Sequence, residues 1–173
     1  MNERIKCLCV MLCVSFLSTS VQAVDVYFTG ELRQGACTLR ETDINVNLDT
    51  VVDRYLYINT RTAGRDFSIK LEGCDISIAD SVKVTLSGTE SAALPGLFAL
   101  DTGSVASGIA VGVETQAGVK LEVGQESSEF SLVDGNNVIA LKAYVRGEPG
   151  AITGEAIGVG VFTSTATFVL TYL

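Results

Sequence analysis

Ala166-Thr167-Phe168-Val169-Leu170-Thr171-Tyr172-Leu173 ends the chain, and its large apolar side chains fall at every second position. Followed backwards, Phe162, Ser164, Ala166, Phe168, Leu170 and Tyr172 share one face, while Thr163, Thr165, Thr167 and Thr171 take the other. A period of two is the signature of a β-strand. The 18 residues from Ala156 to Leu173 carry no charge. Their hydroxyl-bearing face nevertheless excludes a membrane-spanning helix, which is apolar all round. An amphipathic strand of this kind ends either an outer-membrane barrel or a soluble sandwich as an edge strand.

Working outward, the same alternation recurs along the chain. Phe67, Ile69 and Leu71 precede Cys74, and Val82, Val84 and Leu86 follow it. Ile109, Val111 and Val113 form a further set, and Ile139, Leu141, Ala143 and Val145 another. Turn-forming residues separate them at Gly88-Thr89-Glu90, Gly103-Ser104, Gly135-Asn136-Asn137 and Gly147-Glu148-Pro149-Gly150. Helical periodicity is scarce. Many short strands with such punctuation predict an all-β antiparallel sandwich in one domain.

The first residues set the compartment. Arg4 and Lys6 precede an apolar run from Cys7 to Leu17, and Ser18-Thr19-Ser20-Val21-Gln22-Ala23 supplies small residues. This is the pattern of a cleaved export signal, residues 1–23, with cleavage after Ser20 as the alternative. Cys7, Cys9 and Cys13 leave with it, so Cys37 and Cys74 remain and are expected to form one disulfide in an oxidising compartment. Losing Glu3, Arg4 and Lys6 takes 20 acidic and 12 basic residues to 19 and 10, a net charge of −9. That balance argues against nucleic acid as a partner, because phosphate binding needs clustered Lys and Arg. After Phe16 is removed, 11 aromatics remain and none is tryptophan, sparse for the two aromatic girdles of a barrel.

No chemistry stands out. The chain has no histidine, which removes the usual nucleophile–base triads and leaves too few ligands for a zinc site. Asp101-Thr102-Gly103-Ser104 matches the loop of aspartic proteases, where two carboxylates share a proton. A single copy requires a homodimer, and the same four residues are ordinary turn formers, so the turn reading is preferred. Two of the 19 carboxylates could still meet as glycoside hydrolysis requires, but no spacing marks such a pair. The expectation is a protein without catalytic residues, metal or cofactor.

Four segments in order give the chain a likeness. Val26-Tyr27-Phe28-Thr29-Gly30-Glu31-Leu32 precedes Cys37; Phe67-Ser68-Ile69-Lys70-Leu71-Glu72-Gly73-Cys74 holds the second cysteine; Gly108-Ile109-Ala110-Val111-Gly112-Val113 lies mid-chain; Gly160 stands fourteenth from an end with a penultimate tyrosine. Together they resemble the structural subunits (pilins) of bacterial pili assembled by the chaperone–usher pathway, most like those of type 1 fimbriae. The resemblance implies an immunoglobulin-like sandwich that lacks its last strand. It implies that a periplasmic chaperone and then another pilin subunit complete the groove by strand addition, at an outer-membrane usher. The donor strand is then residues 24–32, with Val24, Val26, Phe28 and Leu32 filling pockets and Gly30 where a side chain has no room. The pilin domain is residues 33–173, and its groove-edge strand carries Gly160, Phe168, Leu170, Tyr172 and Leu173. With 150 residues left for a separate receptor-binding domain and a pilin domain together, a shaft or adaptor subunit at the cell surface is favoured. A self-complete secreted sandwich that binds ligands is the other reading, and a small outer-membrane barrel a third.

Overall fold

The computed structural model describes residues 35–173; the expected signal segment 1–23 and donor strand 24–32 lie outside the described residues. The architecture is two antiparallel sheets packed face to face. Strands β1 (Thr38–Leu39), β2 (Arg65–Cys74), β4 (Ile109–Thr115), β5 (Lys120–Leu121) and β7 (Gly135–Gly147) form one sheet in the order β1-β2-β7-β4-β5. Strands β3 (Ser81–Gly88), β6 (Phe130–Ser131) and β8 (Ala166–Tyr172) form the second in the order β6-β3-β8. Consecutive strands β2 and β3 therefore lie in different sheets, and β8 returns from the far end of the chain to lie beside β3.

The alternating residues make the core between the sheets. Ile69 and Leu71 from β2, Val82, Val84 and Leu86 from β3, and Ile139 and Leu141 from β7 are all buried in one cluster. Burial of each such side chain contributes roughly 1.5–3 kcal/mol. Strand β4 departs from the expected alternation, because its first six residues are buried on both faces. The cause lies outside the sandwich: Leu94 and Leu97, from the connection after β3, pack with Ala110 and Tyr144 against the outer surface of the sheet. Tyr144 lies flat across Gly112, where any Cβ would overlap its ring. A glycine in mid-strand is here a close approach and not a turn.

On that same outer face Arg61 makes a paired contact with Glu114, Nη1 to Oε2 at 2.9 Å and Nη2 to Oε1 at 2.7 Å. Its guanidinium carbon stands 3.6 Å from the centroid of the Tyr144 ring. A buried carboxylate needs such a partner, since an isolated buried charge is very costly.

Two further differences from the sequence reading have local causes. Two short helices interrupt the β structure: α1 (Asp53–Asn59), whose Leu56 is buried, and α2 (Pro149–Thr153), opened by a proline suited to a first turn. The Gly135-Asn136-Asn137 punctuation opens β7 instead of separating strands; the Asn137 side chain accepts from Val133 N and donates to Val133 O, closing the preceding turn.

Cys37 and Cys74 are joined, with Cα atoms 4.1 Å apart and 37 positions apart in sequence. The bond fastens β1 to the end of β2, where Asp75 N also donates to Ala36 O at 2.9 Å. Replacing both cysteines by serine is expected to cost about 3–4 kcal/mol, the entropy of leaving that loop open. Urea unfolding of the oxidised parent and the double variant measures the difference.

Candidate strand-binding groove

Strand β8 is aligned with β3 over seven consecutive pairs, from Val82 opposite Tyr172 to Gly88 opposite Ala166. Leu173 N extends the contact, donating to Ser81 O at 3.0 Å. Among the described residues nothing pairs with the other edge of β8. A sandwich strand with a full partner on one side only leaves a row of unsatisfied backbone groups.

The side chains carry the same asymmetry. Val82, Val84 and Leu86 are buried, while Tyr172, Leu170 and Phe168, directly opposite them, are only half-buried. They pack on the core from one side and remain open on the other. Burial pushes the Tyr172 phenol above its usual range.

A second unpaired segment faces them. Ile44, Val46 and Leu48 are half-buried, and Asn45, Asn47 and Asp49 between them are exposed. Ile44 and Leu48 touch the same core cluster as Phe168, Leu170 and Tyr172. No strand ladder includes residues 40–52, and no hydrogen bond among the described residues joins them to residues 157–173. The alternation I-N-V-N-L was present in the sequence and signals this wall; the sequence reading passed over it. Two strand-like edges thus flank an apolar floor with no strand of the described residues between them.

At the far end the groove deepens into an apolar cavity of about 50 Å³. Val51 and Leu56 line one side, Ile157, Gly160 and Phe162 the other, with Ala106 and Ile109 beneath. Gly160 is required by space: a Cβ there would stand 2.5 Å from Val105 Cγ1 and 3.1 Å from Ala106 N. Backbone bonds hold this wall in place, from Val105 N to Val161 O at 2.8 Å and from Ser107 N to Gly158 O at 3.0 Å. They also explain why the ladder of β8 begins at Ala166, four residues after the start of the alternating run. Residues 157–163 bond to the 101–107 loop instead of to β3.

Asp101 is the pivot of that loop. Its Oδ2 accepts from Thr165 Oγ1 at 2.8 Å and its Oδ1 from Thr165 N at 3.1 Å, while its own N donates to Thr163 O at 2.8 Å. Ser104 Oγ donates to Thr163 O and accepts from Thr163 N. The D-T-G-S motif is therefore a turn that clamps the lead-in to β8, and the hydrogen bonds of Asp101 among the described residues go to Thr163, Thr165 and Ser104. The Thr165 hydrogen bond holds the Asp101 carboxyl below its usual range. A carboxylate so lowered stabilises the fold above its unfolded pKa and loses that contribution as the pH falls through the lower, folded value. Asp101→Ala is expected to lower the urea midpoint at neutral pH. Its gap from the parent is expected to close on acidification below about pH 3.9, the ordinary value; a gap that persisted at pH 2 would show that the carboxylate does not act through its charge.

The chain has relatives among known proteins. Residues 26–173 match the family model described as "Fimbrial protein". The chain is 32% identical over 149 residues to the Fimbria A protein of Serratia marcescens, covering 85% of this chain and 83% of that one. It is 32% identical over 158 residues to the fimbrial adapter PapK of Escherichia coli, covering 87% and 88%. Among solved structures it resembles the P pilus rod subunit PapA, with a TM-score of 0.69 and 24% identity, covering 80% of this chain and all of that one. The chain belongs to the fimbrial protein family and is a structural, non-enzymatic pilus subunit of the chaperone–usher class.

Proposed function

We propose that this subunit polymerises by receiving a neighbour's N-terminal segment into the groove between residues 44–53 and β8, and by donating its own residues 24–32 in the same way. The observation that carries this reading is the unpaired edge of β8 above a row of half-buried apolar side chains. An added strand supplies what both walls lack: backbone partners for two edges, and apolar side chains at a period of two. Val24, Val26, Phe28 and Leu32 carry such a period and Gly30 interrupts it. Four apolar side chains at roughly 1.5–3 kcal/mol each make a durable joint.

Before assembly the open groove is an aggregation hazard. A periplasmic chaperone covers it by lending a strand along Phe168, Leu170, Tyr172 and Leu173, with Gly160 at the far end of the wall. An outer-membrane usher is where the neighbour's strand replaces it. On this reading the mature chain begins at residue 24, or at residue 21 if cleavage follows Ser20, and its groove-bearing domain spans 33–173.

Charged residues at Phe168 and Leu170 are expected to abolish chaperone capture and reduce the periplasmic level of the subunit at least tenfold by immunoblot; the double variant at normal levels and still chaperone-bound would count decisively against this role of β8. Deleting residues 24–32 is expected to leave a chain that folds with the chaperone but fails to join the next subunit. Fusing a second copy of residues 24–32 after Leu173 through a flexible linker is expected to give a soluble monomer with a markedly higher melting temperature. In a self-complete sandwich the deletion would remove a core strand and the added copy would find no groove. Thermal melts of the two altered chains separate the readings.

A further inference from the structure

The geometry points to a second contact in the joint between consecutive subunits, an apolar seat of one sandwich end on the opposite end of its neighbour. The inference rests on the strand-exchange reading above and adds to it the surfaces that meet.

The exposed large apolar side chains are not scattered. Among the described residues, all but Val119, Val138 and Val169 lie at the two ends of the sandwich. One end holds the start of the described chain, the disulfide and Leu173; there Ile76, Ile78 and Val133 are exposed. These two loops hold each other, since Ile76 N donates to Asp134 Oδ1 at 3.0 Å and Leu132 N to Asp80 O at 2.8 Å. The other end is the rim of the apolar cavity, where Ile58, Val159 and Val161 are 71%, 73% and 76% exposed, with Val52 and Tyr55 beside them. Single exposed aliphatics are commonplace, whereas clusters mark contact sites.

The length of chain between strand and body decides what covers them. Only Arg33 and Gln34 separate Leu32 from Gly35, so the donated strand can end at most about 11 Å from the donor's body. That body begins beside Ala36, whose carbonyl is bonded to Asp75 N, one residue from Ile76. Whichever end of the groove Leu32 occupies, the donor's Ile76 end is drawn against it.

Charge and shape choose the end. If the strand ran parallel to β8, Leu32 would emerge beside Leu173, and the donor's exposed Asp75, Asp80 and Asp134 would meet the same three residues of the acceptor. Like charges brought together in this way are destabilising. An antiparallel strand brings Leu32 to the cavity of Gly160 and Leu56, which Asp53 also lines, and the donor's acidic, apolar end to one of mixed charge, where exposed Arg54 and Arg146 stand alongside Glu155. The contact is head to tail, so it repeats along a fibre without closing.

The experiment uses the full mature chain polymerised in solution and, separately, a fluorescent synthetic peptide of residues 24–32. Ile78→Ser with Val133→Ser on one end, or Ile58→Ser with Val161→Ser on the other, is expected to leave capture of the peptide unchanged, because the peptide brings no body. The same variants are expected to make fibres come apart about tenfold faster in guanidinium, the range in which interface changes act on dissociation. Combining both pairs is expected to add little beyond either alone, since each removes the same contact. Variant fibres as durable as the parent, with the peptide still captured, would overturn the end-to-end contact and leave strand exchange standing. A parent chain that captures no peptide would overturn strand exchange, and this contact with it.

Discussion

The seven-pair ladder between β3 and β8 is the interaction on which the remaining structure depends. It brings the last strand of the chain alongside β3 and helps to bury Val82, Val84 and Leu86. It also leaves β8 as an edge, because the strand that would cover its other side is absent from the described residues. An edge of this kind is destabilising in isolation, since backbone donors and acceptors next to an apolar floor cannot be satisfied by that floor. The protein keeps this deficit where a single extended segment can make it good. The proposed role as a polymerising subunit rests on this open edge.

The rest of the molecule keeps that edge rigid. The disulfide fixes β1 to β2 at one end of the groove, and the Asp101 and Ser104 turn fixes the lead-in to β8 at the other. The outer face of the larger sheet is closed by Leu94, Leu97 and Tyr144, and the Arg61–Glu114 pair sits against that ring. Burying an ion pair seldom adds stability over an apolar replacement, yet losing one partner leaves a stranded charge. The pair therefore fixes one arrangement of the sheet's outer face. A groove with firm walls binds an incoming strand without first being ordered, which lowers the cost of association.

The ends of the sandwich have a different character from its faces. Apolar side chains that a monomer would bury remain exposed around the cavity rim and on the paired loops at Ile76 and Val133. On the proposed strand exchange, the two residues between Leu32 and Gly35 would bring neighbouring bodies into contact.

Much of this was legible in the sequence because strand periodicity is local. Alternation at Phe67–Leu71, Val82–Leu86, Ile139–Val145 and Phe168–Tyr172 names the strands and their inward faces without reference to any partner. The two cysteines that outlast the signal segment name the disulfide by count. What the sequence could not give was set by contacts between distant segments. The burial of both faces of β4 depends on a loop from after β3, and the role of Asp101 on a threonine 64 residues later. The wall at Ile44–Leu48 has the right pattern, but only its position opposite β8 makes it half of a groove. Periodicity tells which side of a strand turns inward. Whether a neighbour lies beside that strand is a property of the assembled sheet, since an edge strand and a central strand can share one pattern.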